Sequence, residues 1–285
     1  MTKHQVIACV DGSAMSGAVC DTAVWASRAL QAPVTFLHLL ETNRSPAIED
    51  YSGAIGLGSR EHLLSELVAL DEDRSKRSLE QGRRLLDKAV QAAQAAGVTE
   101  VSGEQRYDEL LDAVLAYEAS TRLFVIGRHG ETHALQAQAI GAQVESVVRA
   151  VHTPILMTPD VFSPPRNFML AYDGSETANK AIERVARSPL LAGMPGQVVM
   201  VGADTAENQA RVNRACQLLA ERNWQVQAHL LQGNVMTSLV AFHQDHSIGL
   251  LVMGAYGHSR IREFIVGSNT TKMLAASAVP VLILR

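Results

Sequence analysis

Four residues near the C-terminus, Gly254-Ala255-Tyr256-Gly257, are followed after nine residues by Gly267-Ser268-Asn269-Thr270. Glycine lets a backbone approach a ligand closely and adopt positive φ. Where such a loop opens a helix, the unpaired backbone N–H groups point outward and the helix dipole favours an anion. The hydroxyls of Ser268 and Thr270 add donors at the same place, so the pattern suits phosphates held mostly by backbone amides. Taken alone, a GxxG pair is equally a plain loop, with Ser268 an ordinary helix N-cap. The full spacing favours the ligand reading. The chain has no GxxxxGK[ST] and no GxGxxG, which rules out Walker A and Rossmann fingerprints. Without a P-loop lysine, fast phosphoryl transfer lacks one of its usual cations.

A second signal is Asp-Gly-Ser, present as Asp11-Gly12-Ser13 and again as Asp173-Gly174-Ser175, each after a short apolar run. In open α/β sheets ligands sit outside the carboxyl ends of strands where the strand order reverses. There Asp173 could accept from ribose hydroxyls or hold Mg²⁺ indirectly. The same tripeptide also serves as a turn and helix cap; beside the glycine motif, the binding role is favoured. Arg260 and Arg262 follow the GxxG loop and suit either phosphate contact or plain surface. Ten histidines form no HExxH or comparable set. His243 and His246 share a helix face, for which solvation is a simpler reading than metal binding. No Ser or Cys has a His and an acid that spacing can place beside it, so nucleophilic catalysis has no support. Trp25 and Trp224 read as core or edge packing.

The chain repeats itself, and the repeat shows which elements position these residues. Residues 5–13 recur as 167–175, Leu123–Gly127 as Leu250–Gly254, and Thr153–Met157 as Val279–Ile283. Short apolar runs alternate with amphipathic segments, the pattern of βαβ units and a parallel sheet covered on both faces. In the second copy the strands are expected at 167–172, 197–202, 225–231, 248–253 and 280–284. Its helices are expected at 176–190, 205–222, 234–246 and 268–277, with Val212, Cys216 and Leu219 on one stripe. The first copy carries an excursion from Glu41 to Arg60 that reads as a mobile loop, and helix formers from Leu63 to Ala96 that suit one long helix. Thr158–Pro165, with three prolines, reads as a short stiff linker. The expected domains are 1–159 and 160–285. The expected fold is α/β: two tandem open parallel five-stranded sheets with helices on both faces. Composition agrees. The 285 residues are 47 % hydrophobic and 19 % charged with net charge −4, giving two ordinary cores and no basic footprint for nucleic acid. Three scattered cysteines read as free thiols. No apolar run is long enough for a signal peptide or a membrane span, which points to the cytoplasm.

Together the motifs resemble the universal stress protein family in a tandem form covering essentially the whole chain. The family's nucleotide-binding subgroup carries G-x2-G-x9-G-[S/T], and Gly254, Gly257, Gly267 and Ser268 match it position for position. The resemblance implies ATP, with or without Mg²⁺, in the second copy. Asp173 and the backbone near Ala171 and Gly202 would surround the adenosine, Met253 would lie near the base or ribose, and Ser268, Asn269 and Thr270 near the phosphates. Where the family often has proline near Ala171 and a β-branched residue near Gly202, this chain differs, which alters the adenine wall. It further implies a stress-response regulator acting on an unidentified protein partner. The last strands, Pro154–Met157 and Pro280–Leu284, would pair antiparallel as an intramolecular pseudo-dimer, with homodimerisation through other surfaces left open. A slow ATP hydrolase and a scaffold with a vestigial site are the alternatives. The first copy departs further. It reads Gly127-Arg128-His129-Gly130, then ten residues, then Gly141-Ala142, one residue too long and without the hydroxyl. Glu145 brings a negative charge into the following helix, and Arg106 is aligned with Gly233. The first copy is therefore expected to bind ATP weakly or not at all.

Overall fold

A computed structural model describes residues 4–40, 57–128, 142–254 and 277–285. Its first half runs β1 (Gln5–Val10), α1 (Ser16–Leu30), β2 (Val34–Leu40), α2 (Leu57–Ala95), β3 (Val101–Tyr107), α3 (Leu110–Tyr117), β4 (Thr121–Gly127), α4 (Ala142–Ala150) and β5 (Ile155–Thr158). The second half runs β6 (Phe168–Tyr172), α5 (Glu176–Arg187), β7 (Gly196–Val201), α6 (Ala206–Ala220), β8 (Val226–Leu231), α7 (Val235–Asp245), β9 (Leu251–Gly254) and β10 (Val281–Leu284). The strands of the second half fall within a few residues of the expected segments, and α2 is the single long helix. That helix begins at Leu57, so the expected excursion is helical over its last four residues; the rest of the excursion, and most of the helix expected at 268–277, lies outside the described residues.

The two five-stranded parallel halves join into one sheet of order β3-β2-β1-β4-β5-β10-β9-β6-β7-β8. The seam is antiparallel, with Val281 opposite Met157, Leu282 opposite Leu156 and Ile283 opposite Ile155. Every residue of β5 and β10 is buried, so the seam is an internal pair of strands rather than two open edges. Strands buried on both faces read as continuous apolar runs. On one face Val6, Ala8, Leu123, Leu156, Leu170, Val252 and Leu282 belong to one core that meets α1, α2, α5 and α6. On the other, Ile7, Phe124, Ile155, Met169, Leu251 and Ile283 belong to a second core that meets α3, α4 and α7. Both cores run through both halves.

The helices start where short polar side chains satisfy their free N–H groups. Ser175 Oγ accepts from Ala178 N at 3.1 Å, Thr205 Oγ1 from Asn208 N at 3.2 Å, and Asn234 Oδ1 from Met236 N at 3.0 Å. Each such cap stabilises by about 1 kcal/mol. The proline-rich joint is packed down: Phe162 tilts onto Trp25 with ring centroids 5.9 Å apart, and Pro159 and Pro165 are buried. Trp224 stands edge-on to Phe168 at 5.8 Å, so both tryptophans pack as expected.

Candidate functional site

From β6 the chain crosses to β7 on one side, whereas β9, on the other side of β6, is entered from β8. The carboxyl ends of β6 and β9 therefore flank a point where the winding reverses, the place at which open α/β sheets take ligands. Ala171 is paired with Met253 across β6·β9 and with Val199 across β6·β7. Asp173 is the first residue past β6, Gly254 the last of β9, and Gly202 the first past β7. Five of the sequence-predicted residues, Ala171, Asp173, Gly202, Met253 and Gly254, are thus brought to one edge. Gly257, Gly267, Ser268, Asn269 and Thr270, with Arg260 and Arg262, lie outside the described residues.

Local bonding sets the shape of this edge. Gly174 sits at φ +75°, a backbone state that suits glycine, and so turns the chain from β6 into α5. Asp173 Oδ1 accepts from Ser175 N at 2.9 Å, while Ser175 caps α5. The tripeptide thus serves as turn and cap, with Asp173 at the carboxyl edge of the sheet. Gly202 N donates to Leu231 O at 2.8 Å. A Cβ added at Gly202 would meet Asn208 Nδ2 at 3.2 Å, and that nitrogen donates to Ala203 O at 2.8 Å.

Sequence reasoning missed Arg211. A Cβ on Gly174 would lie 3.4 Å from its Cδ and 3.8 Å from its Nη1, so the arginine lies over the turn beside Asp173. Its guanidinium also pairs with Glu207 one helical turn earlier. Burial pushes the Tyr172 phenol upward, Asp173 adds to this, and Arg211 and Arg214 oppose it. Two cations of α6 thus act on the edge where Asp173 stands. Arg211 directly precedes the buried Val212 but is itself exposed, so local pattern did not mark it.

The first half can be compared residue by residue, because Val6 and Phe168 hold equivalent places beside Val34 and Gly196. Asp11 Oδ1 accepts from Ser13 N at 3.0 Å and from Ser16 Oγ at 3.2 Å, and Ser16 Oγ also accepts from Gly12 N at 3.0 Å. Ala178 occupies the place of Ser16 in the second half and brings no hydroxyl, so Asp173 and Gly174 make neither bond. Leu40, 5 % exposed, occupies the place of Gly202. The helices α2 and α6 close with the same turn, Val98 N to Ala93 O and Trp224 N to Leu219 O. Eight residues before those acceptors stand Leu85 and Arg211. Leu85 Cδ2 is the atom a Cβ on Gly12 would meet, at 4.0 Å. Where the second half has a carboxylate without the serine hydroxyl, a glycine and an arginine, the first has a carboxylate tied also to Ser16 and two leucines.

Arg128, of the degenerate GRHG run, reaches across the seam. Its Nη1 donates to Ser277 O at 3.0 Å and its Nη2 to Asp160 Oδ2 at 2.9 Å. Glu145 accepts from Arg149 one turn along α4. The alignment of Arg106 with Gly233 is corrected: Val101 and Val226 are equivalent in the sheet, so Gly233, at φ +104°, corresponds to Asp108. Arg106 instead pairs with Asp108 at 3.2 Å and lies over the Tyr117 ring.

The expected solvated face holds for His246, which is exposed, and only in part for His243. His246 stacks on Phe242 at 3.8 Å, and His229 packs 4.8 Å from the same ring. His229 is bonded to Gln197 at 2.6 Å, and His243 is half-buried. Burial lowers the pKa of both His229 and His243, and His246 lowers that of His229 further. Among the described residues no group of His, Cys, Asp and Glu is placed to hold a metal ion. The three cysteines are free. Burial, with Asp11 adding to it, pushes the Cys9 thiol up to about 12, far from a nucleophile. No helix among the described residues is long and apolar enough to cross a membrane.

The universal stress protein family model matches residues 3–159 and 199–285. A universal stress protein of Synechocystis is 32 % identical over 284 residues, covering 98 % of this chain and 99 % of that protein. The crystal structure of a universal stress protein from Archaeoglobus fulgidus superposes with TM-score 0.70 at 16 % identity, covering 99 % of this chain and 96 % of the other. A functionally unknown protein from Pseudomonas aeruginosa PAO1 does so with TM-score 0.63 at 15 % identity, covering 99 % and 92 %. The chain belongs to the universal stress protein family.

Proposed function

We propose that this protein is a cytoplasmic stress-response regulator that binds ATP at the carboxyl edge of β6, β7 and β9, and that its domains are 1–159 and 160–285. The observation that supports this reading is that Ala171, Asp173, Gly202, Met253 and Gly254 come together where the winding of the sheet reverses, with a glycine where the first half has the buried Leu40. Asp173 accepts from ribose hydroxyls, Met253 and the backbone at Ala171 and Gly202 border the adenosine, and Gly254 begins the phosphate loop. Gly257, Gly267, Ser268, Asn269 and Thr270 hold the phosphates through N–H and O–H donors. Arg211 and Arg214 add positive charge to the same edge. The nucleotide acts as a ligand whose presence is read by a protein partner.

The test is mass spectrometry of small molecules released when freshly purified protein is denatured. An adenine nucleotide in the wild type and none in Gly267→Val supports the reading. No nucleotide in either, with no heat on titrating ATP, removes it and favours a scaffold acting through protein contacts alone.

A further inference from the structure

A cleft of about 550 Å³ lies between the two halves, and its lining includes none of the residues at the edge that carries Asp173. Its floor includes Leu123, Leu191, Leu282 and Leu284, and its rim includes Arg122, Arg184 and Arg187. All three arginines are exposed. Arg122 donates to Leu30 O and Arg184 to His152 O, and among the described residues none of the three is ion-paired to a carboxylate. The only carboxylate of the lining, Glu118, already accepts from His152 N and Thr153 N. The cleft is apolar below and cationic above.

The repeat shows what such a place holds. Strand register makes Arg122 the counterpart of Gly249, and Arg187 the counterpart of Trp25. Around Gly249 and Trp25 the corresponding groove is filled by the chain's own joint. Phe162 lies on Trp25, and a Cβ added at Gly249 would come within 3.2 Å of Pro165 Cα and Arg166 N. An extended segment with one aromatic anchor thus occupies one member of a pseudo-symmetric pair. Among the described residues no such segment occupies the other, where arginines replace the glycine and the tryptophan.

We propose that this cleft docks an extended segment of a partner protein that carries an aromatic side chain flanked by carboxylates. The aromatic ring covers the leucine floor, as Phe162 covers its own groove. The carboxylates meet Arg122, Arg184 and Arg187, giving the charge complementarity that selects a partner and speeds encounter.

The test uses two fluorescently labelled octapeptides and anisotropy titration of the full chain. One is the joint's own sequence, TPDVFSPP; the other, TPDDFEPP, adds two acids beside the phenylalanine. Saturable binding of TPDDFEPP is expected, with TPDVFSPP weaker. The double variant Arg184→Glu/Arg187→Glu should weaken TPDDFEPP by about tenfold or more. Because both arginines are exposed, its thermal midpoint should match the wild type. A wild-type protein that binds neither peptide, or a double variant that binds TPDDFEPP as well as the wild type, overturns the proposal. Binding of sodium decanoate that the double variant loses, with neither peptide bound, overturns it in favour of a small amphiphile.

Discussion

The two halves share sheet order, register and the Asp-Gly-Ser turn, yet they spend the carboxylate differently. In the first half Asp11 is tied to Ser16 and Gly12 is overlain by Leu85. In the second, Ala178 releases the equivalent bonds and Arg211 lies over Gly174. At the end of the second strand one half has the buried Leu40 and the other has Gly202, which brings no side chain. A duplicated fold can thus keep its scaffold while equivalent positions take different side chains. Family membership alone does not distinguish the two halves; the residues at three equivalent places do.

The sharpest way to break the comparison is to make the second half resemble the first. Gly202→Leu should weaken ATP binding at least a hundredfold by calorimetry, since its side chain would enter the space that the proposed nucleotide needs. Affinity within threefold of wild type would refute the assignment of this edge. The reciprocal change, Leu40→Ala, should cost about 2–5 kcal/mol in urea unfolding, as for a buried leucine that leaves a cavity. It should create no second nucleotide site, because Asp11 stays tied to Ser16.

The aspartates give the next effect. Asp173→Ala should weaken ATP by about 10- to 100-fold, the loss of a charged hydrogen-bond acceptor, with little change in thermal midpoint. Asp11→Ala should leave nucleotide affinity unchanged and cost about 1 kcal/mol of stability through the lost turn bonds. Equal nucleotide phenotypes for the pair would dissolve the distinction between the halves.

Much of this was legible beforehand. The repeat fixed the strand equivalences, alternation fixed the parallel sheet, and the family resemblance implied the seam at the Pro-led apolar runs at 154 and 280. The position of Asp173 and Gly254 on one edge followed from their places at strand ends. What sequence could not supply were the contacts between elements distant in the chain. Arg211 is 37 residues from Gly174, and no local pattern says that α6 lays it over the turn. The alignment of Arg106 with Gly233 failed because a motif match has no register, whereas a sheet does. The solvated face assigned to His243 and His246 holds for the exposed His246, whereas helical spacing alone could not foresee that His243 is half-buried.

The histidines give a smaller effect confined to the second half, since Glu104 and Glu118 occupy the places of His229 and His243. Burial lowers the pKa of both imidazoles, so the folded chain binds fewer protons than the unfolded one. Their contribution is complete above the unfolded value near 6.5 and is lost as pH falls below it toward the lowered folded values. Urea midpoints should drop between pH 7.5 and pH 5, and His243→Leu should make that drop shallower. An unchanged slope would show that His243 is not held neutral.

Calorimetric titration of nucleotide-free full-length protein with ATP, repeated on Gly202→Leu, addresses the central claim most directly. The account predicts one ATP per chain in the wild type and none in the variant. Two per chain, or one that survives in Gly202→Leu, would contradict it, because the first half would then be binding the ligand that its leucines and its tied aspartate are said to exclude.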